Sequence, residues 1–152
     1  MKSNWKSGKA GISTANPNPL SKYLLDTNIC IYFLKGLYDL HTKIQKAGPE
    51  HCYLSEISVA ELKFGAANSG HPALNTRVVE DFIRQFPILP IYSALKVYAS
   101  EKVRLRKKGI PLDEFDMLVG ATALVNGLVL VTRNVSDFER IKGLSVENWA
   151  QD

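Results

Sequence analysis

Two short apolar runs, Tyr23-Leu24-Leu25 and Leu128-Val129-Leu130-Val131, each stop abruptly on polar residues. The first runs into Asp26-Thr27-Asn28 and the second into Thr132-Arg133-Asn134. A continuous apolar run of this length, bounded by polar residues, reads as a buried strand. Cys52-Tyr53-Leu54, residues 87–89 and residues 145–148 supply three more candidates, the last of them edge-like, and helical stretches separate all five. Strand and helix in alternation imply right-handed crossovers and a mostly parallel sheet with helices on both faces, an α/β domain. Ligands in such sheets bind outside the carboxyl ends of the strands. Asp26 and Asn134 therefore stand where a site is expected.

The helices are placed by their stop signals and spacing. One begins at Asp26 or Thr27 and carries Ile29-Cys30-Ile31-Tyr32-Phe33-Leu34. A second spans about Leu37–Lys46 and ends at Gly48-Pro49. Residues 55–66 and 73–86 are helical, the latter with Val78, Val79, Phe82 and Ile83 on one side. Residues 92–108 make the longest helix, with Leu95, Tyr98, Ala99 and Val103 expected to face inward. Asp113 opens the next helix, in which Gly120, Ala121 and Ala123 allow close approach, and Gly127 ends it. Val135–Arg140 is a short helix or turn.

At 152 residues the chain is one domain by length. No apolar run approaches the ~20 residues of a bilayer span. The net charge of +4 points to an anionic partner only weakly, because Lys2, Lys6, Lys9 and Lys22 account for it. From Asp26 onward, basic and acidic residues balance, so any nucleic-acid contact must come from local patches. Residues 1–21, rich in Gly, Ser, Asn, Lys and Pro, read as a flexible polar tail, leaving 22–152 as the folded domain. The two cysteines, Cys30 and Cys52, lie in apolar segments and read as free thiols in a reducing cytoplasm.

Three acids, Asp26, Glu61 and Asp116, each sit at or near the start of a helical segment. Two accounts are open. Asp26 suits an N-cap, and Ser58-x-x-Glu61 and Asp113-x-x-Asp116 both have capping-box spacing. Alternatively the carboxylates converge; like charges held together then raise one another's pKa unless a cation binds, and Mg²⁺ or Mn²⁺ suits all-oxygen ligands. With three histidines and no His-x-x-x-His pair, the chain lacks the usual signature of a zinc hydrolase.

Four segments together resemble the PIN-domain ribonucleases, and within them the VapC toxins of bacterial toxin–antitoxin pairs. They are Leu25-Asp26-Thr27-Asn28, Ser58 to Gly65, Phe115-Asp116 with Val119 to Leu124, and Leu130-Val131-Thr132-Arg133-Asn134 with Asp137-Phe138. The resemblance covers about residues 22–150 and implies a three-layer α/β fold and a Mg²⁺- or Mn²⁺-dependent endoribonuclease. It implies that Asp26 and Asp116 are metal ligands, that Glu61 binds metal or positions water, and that Thr132 orients a water. The fourth position, often acidic, is Asn134 here, with Asp137 nearby. It further implies a cognate VapB-like antitoxin that can place an Arg in the acidic site, an RNA substrate among tRNA or rRNA, and a homodimer formed through helices. Arg104, Arg106, Lys107, Lys108 and Arg133 are the candidates for RNA-backbone contact, although cations at a helix C-terminus are also favoured by its dipole.

Other classes fit less well. A haloacid-dehalogenase-type phosphotransferase wants Asp-x-Asp where this chain has Asp26-Thr27-Asn28, and a response-regulator receiver wants a late Lys at a strand end. A structure-specific DNA nuclease carries more acids and a longer clamp region. The binding-class alternative is a non-catalytic RNA- or antitoxin-binding module.

Overall fold

The computed structural model describes residues 12–13 and 21–152. Its strands are β1 (Ile12–Ser13), β2 (Tyr23–Leu25), β3 (Cys52–Ser55), β4 (Ile88–Leu89), β5 (Val129–Val131) and β6 (Val146–Glu147). They form one sheet in the order β1-β6-β5-β2-β3-β4, and every pairing is parallel. The helices are α1 (Thr27–Leu34), α2 (Leu40–Ala47), α3 (Glu56–Ala67), α4 (Pro72–Ile83), α5 (Leu95–Lys107), α6 (Glu114–Val125) and α7 (Val135–Phe138).

Period-two alternation along β2 divides the core. Tyr23 and Leu25 pack into one cluster with Ile29, Leu40, Leu62, Phe82 and Trp149. Leu24 faces the other way, into a cluster with Leu105, Met117, Ala123, Leu130 and Phe138. Helices α1–α4 thus cover one face of the sheet and α5–α7 the other, which is the three-layer α/β arrangement. Gly120 matters on the second face, because a Cβ there would collide with Ile141 Cδ1.

From β2 the chain builds outward through β3 to β4, then returns to place β5 on the opposite side of β2. The strand order therefore reverses between β2 and β5. A crevice opens at such a switch point beyond the carboxyl ends, and ligands bind there. Asp26 and Thr132 are the first residues past those two ends.

Several expectations need correcting. Of the segment 1–21 read as a tail, only Ile12, Ser13 and Ser21 are described. Ile12 and Ser13 pair with Val146 and Glu147, so β6 is not the edge of the sheet. The flexibility expected of the rest lies outside the described residues. Helix α2 starts at Leu40 rather than Leu37, because Gly36, Tyr38 and Asp39 adopt positive φ and turn the chain first. The N-cap of α3 is Ser55, whose hydroxyl accepts the Ser58 N–H at 3.1 Å. Ser58 therefore caps nothing, and Glu61 lies inside the helix, free of any capping box.

The inward face of α5 also differs. Leu95, Ala99 and Val103 are exposed, while Glu101 and Leu105 are buried and Tyr98 half-buried. The buried line runs through a glutamate, which an apolar count passes over. Glu101 accepts two hydrogen bonds from the Arg104 guanidinium (2.7 and 2.8 Å) and one from Lys142 N–H (3.0 Å). Arg104 also donates to the Arg140 carbonyl at 2.6 Å. A charge is tolerated at low exposure when it is paired in this way.

Cys30 and Cys52 are buried and free. Burial pushes both thiols up, Cys52 to about 12, so neither is a thiolate near neutral pH.

Candidate active site

Asp26 satisfies both accounts of it. It is the N-cap of α1, with Oδ1 accepting the Thr27 N–H at 2.9 Å. Its Oδ2 accepts the Thr132 hydroxyl at 2.8 Å across the β2–β5 crevice. The backbone closes the same gap, Asp26 N–H donating to the Val131 carbonyl at 2.9 Å. Asp26 is only 4% exposed. Burial raises its pKa, opposed by the Thr132 and Thr27 hydrogen bonds. A buried acid at a strand tip with an upward-shifted pKa is more than a cap requires.

Glu61 reaches this centre from α3. Thr27 Oγ1 donates to Glu61 Oε1 at 2.6 Å and lies 2.9 Å from Ser58 Oγ. Asp116 stands in the first turn of α6, where Asp113 is the N-cap and accepts the Phe115 N–H at 3.1 Å. Its carboxyl is pushed up to about 6, first by burial and then by the charges of Asp26, Asp113, Glu61 and Asp137. The strand tips and two helices thus bring Asp26, Glu61 and Asp116 into one electrostatic neighbourhood. Among the described residues no lysine or arginine forms an ion pair with any of them.

Such a cluster suits a hard divalent cation, since every side-chain donor is oxygen. His51 is bonded to the Ala47 carbonyl, His41 lies beside Phe33 and His71 precedes α4, so no imidazole joins the site. Among the described residues no three His, Cys, Asp or Glu side chains stand close enough together to hold a metal ion between them. An ion here would be held by one or two carboxylates and water, the mode Mg²⁺ favours.

The region 23–144 matches the family model for the PIN domain. Ribonuclease VapC2 of Haemophilus influenzae is 38% identical over 132 residues, covering 84% of this chain and 98% of the relative. The chain belongs to the VapC branch of the PIN domain family. The tRNA(fMet)-specific endonuclease VapC of Salmonella typhimurium is 33% identical over 129 residues, covering 84% of this chain and 98% of that one. Among solved structures, the DNA-bound VapBC of Salmonella typhimurium superposes with a TM-score of 0.80 at 32% identity, covering 86% of this chain and 99% of that one. VapBC-1 of nontypeable Haemophilus influenzae gives 0.76 at 30% identity, covering 85% and 98%.

Within this PIN domain the remaining candidates divide. Thr132 is fully buried and holds Asp26, and its Oγ1 also accepts the Asn134 N–H at 3.0 Å. Asn134 precedes α7 without capping it through its side chain and is exposed beside the cluster. Asp137 does not cap the turn; it pairs with Arg140 at 3.3 Å while adding to the field on Asp116. Arg104 is no free RNA contact, because Glu101 and the Arg140 carbonyl occupy it. Arg106, Lys107 and Lys108 are exposed at the end of α5, and a short link joins them to the start of α6. Arg133 is exposed and donates to Tyr32 Oη at 3.0 Å.

Three residues that bind the site together were not singled out beforehand. Thr27 anchors Glu61, and Ser58 Oγ lies against the same Thr27 hydroxyl. The Asn28 amide lies 3.4 Å from both Asp26 Oδ2 and Thr132 Oγ1, and its oxygen accepts the Arg133 N–H at 3.3 Å. Their signal was present as Thr27-Asn28 directly behind Asp26, a polar pair at a strand tip.

Proposed function

We propose that this PIN domain is a Mg²⁺-dependent endoribonuclease, with Mn²⁺ able to substitute, acting in the cytoplasm as the toxin of a toxin–antitoxin pair on tRNA or rRNA. The observation that carries it is the uncompensated trio Asp26, Glu61 and Asp116 at the switch point of the sheet. Asp26 and Asp116 would hold the ion. When bound, Mg²⁺ offsets the charge of the scissile phosphate and lowers the pKa of a coordinated water. The chain supplies the rest. Thr132 fixes the orientation of the Asp26 carboxylate. Thr27 holds Glu61 by one oxygen, and its second oxygen would accept a proton from an attacking water. In-line attack would leave a 5′-phosphate and a 3′-hydroxyl. Arg106, Lys107, Lys108 and Arg133 supply backbone contacts, and their contribution should fall with salt.

Two surfaces support the partners. A groove of about 350 Å³ between α1, α3 and α4, lined by Ile31, Leu34, Leu62 and Val79, has Glu61 in its wall. An amphipathic segment of a VapB-like antitoxin fits an apolar groove of this kind, and a basic residue on it would meet the acids. The Salmonella typhimurium and Haemophilus influenzae relatives are themselves seen in VapBC structures. On α5, Leu95, Ala99 and Val103 form an exposed apolar stripe at a spacing of four, beside Tyr92, which is 84% exposed. Contiguous apolar surface on one helix supports a homodimer. Val103→Lys is expected to convert the dimer to a monomer in light scattering without lowering the melting temperature of the monomer. An unchanged mass would remove α5 from the interface.

The activity is tested by incubating antitoxin-free protein with total bacterial RNA, with Mg²⁺, Mn²⁺ or EDTA, followed by end mapping. A few discrete EDTA-sensitive cuts bearing 5′-phosphates are expected. Intact RNA after incubation with folded protein in either metal would refute the nuclease reading. It would also make Asn134→Asp the first change to try.

A further inference from the structure

Beside the acid cluster lies a group of side chains that metal binding does not use. Tyr32 is one turn beyond Asn28 on α1, so the two share a helix face. Along the axis it stands roughly 9 Å from Asp26, six residues at about 1.5 Å each. Tyr38 folds back onto it from the α1–α2 turn, the rings meeting edge-on with centroids 5.2 Å apart. Arg133 follows the Asp26-holding Thr132 and joins both tyrosines. Its Nη1 donates to Tyr32 Oη at 3.0 Å and Tyr38 Oη at 3.4 Å, and its guanidinium lies 5.7 Å from the Tyr32 ring centroid. Its backbone N–H is tied to Asn28 at 3.3 Å.

Three features of this group point to a ligand. Arg133 is exposed and forms no ion pair with a carboxylate among the described residues. Each phenol accepts from Arg133 and keeps its own proton to donate, so the group offers N–H and O–H donors together with aromatic faces. Tyr38 and Asp39 have φ of 59° and 52°, a left-handed conformation that a residue with a Cβ keeps only when its surroundings demand it. The turn is thus held in a strained shape that sets Tyr38 against Tyr32 and Arg133. Donors for an anion next to half-buried aromatic rings match one chemical class, a nucleotide, through its phosphate and its base.

We propose that Tyr32, Tyr38 and Arg133 form a nucleotide subsite flanking the cleavage centre. Arg133 and the phenol hydroxyls hold a phosphate neighbouring the one cleaved, and an unpaired base next to the cut packs on the Tyr32–Tyr38 pair. The subsite gives the enzyme a requirement for an unstacked base at one fixed position beside the scissile bond. This rests on the endoribonuclease reading, and the experiment separates the two.

The RNA that the wild-type protein cuts in total RNA is remade as a synthetic hairpin, with single abasic sites walked through two nucleotides on each side of the cut. At one position the abasic RNA should lose about 10- to 100-fold in kcat/KM, the range for one base–aromatic stack. Tyr38→Leu should show a similar loss on intact RNA and no further loss on the abasic one. Tyr32→Phe and Tyr38→Phe keep the rings and should retain the abasic penalty, which carries the test if Tyr38→Leu does not fold. Arg133→Ala should weaken binding of the intact hairpin in EDTA, read by fluorescence anisotropy, and reduce the salt slope by about one phosphate contact. No abasic penalty, or a full penalty persisting in Tyr38→Leu, overturns the subsite while leaving the nuclease intact. So does a Tyr38→Leu protein that cuts RNA normally but binds antitoxin more weakly. If the wild-type protein cuts no RNA, the nuclease reading fails and takes the subsite with it.

Discussion

Asp26→Asn is expected to lower RNA cleavage by about 10³-fold or more, the scale on which removing a preorganised charged group acts. Its melting temperature should change little, because relief of the buried charge is offset by loss of the Oδ2 acceptor for the Thr132 hydroxyl. The two effects separate because Asp26 does two jobs with different requirements. As N-cap it needs an oxygen for the Thr27 N–H, and the Asn side chain supplies one. As metal ligand it needs the negative charge, which Asn removes. That charge is also what burial disfavours, so neutralising it relieves the fold. Asp26→Ala is the poorer probe, since it also loses the cap, at about 1 kcal/mol, which Asn keeps. Kinetics on a defined RNA and thermal melts of the same samples check both halves. An Asn variant that still cuts at a rate near wild type would remove Asp26 from the chemistry.

Asp116→Asn should likewise abolish cleavage, and it should alter how stability depends on pH. In the folded protein this carboxyl titrates at about 6. The unfolded chain returns it to about 3.9. Its folded pKa lies above its unfolded one, so the native state holds the proton more tightly. Below about pH 4 both states are protonated and the group contributes nothing to pH dependence. As pH rises through 6, the native state must accept an unfavourable charge, and stability falls. Because the group is only half-buried and solvent screens it, the loss between pH 4 and pH 7 is about 1 kcal/mol. In melts, the Asn variant should lose that part of the pH dependence and be the more stable protein at pH 7.5. Mg²⁺ should raise the melting temperature of the wild type at pH 7.5 and leave the variant nearly unmoved. Identical pH profiles for the two proteins would mean that the neighbouring acids do not act on Asp116.

Both experiments depend on acids whose local roles were readable in the chain. The strand tips were legible because Tyr23-Leu24-Leu25 and Leu128 to Val131 are apolar on both faces, which only a parallel sheet between helix layers requires. Asp26 was legible because it stops the first of those runs. Arg104 and the α5 face were misplaced for one reason. Glu101 is buried through its bonds to Arg104, one turn on, and to Lys142, and the second pairing, 41 residues away in sequence, leaves no periodic trace. The stripe Leu95, Ala99 and Val103, apolar and expected to face inward, is exposed instead.

The alternation of apolar runs and helices, the acids Asp26, Glu61 and Asp116 near helix starts and the similarity to VapC proteins are properties of the chain read in order. Local rules produce them: side-chain periodicity, capping and the intolerance of a buried strand for charge. The switch point between β2 and β5, the Thr27–Glu61 and Thr132–Asp26 hydrogen bonds and the placing of Tyr38 on Arg133 were decided only in three dimensions. Each joins residues far apart in sequence, and a hydrogen bond depends on distance and angle that no spacing along the chain encodes. The same holds for the raised pKa of Asp116, because Coulomb repulsion depends on how closely the fold packs the acids together.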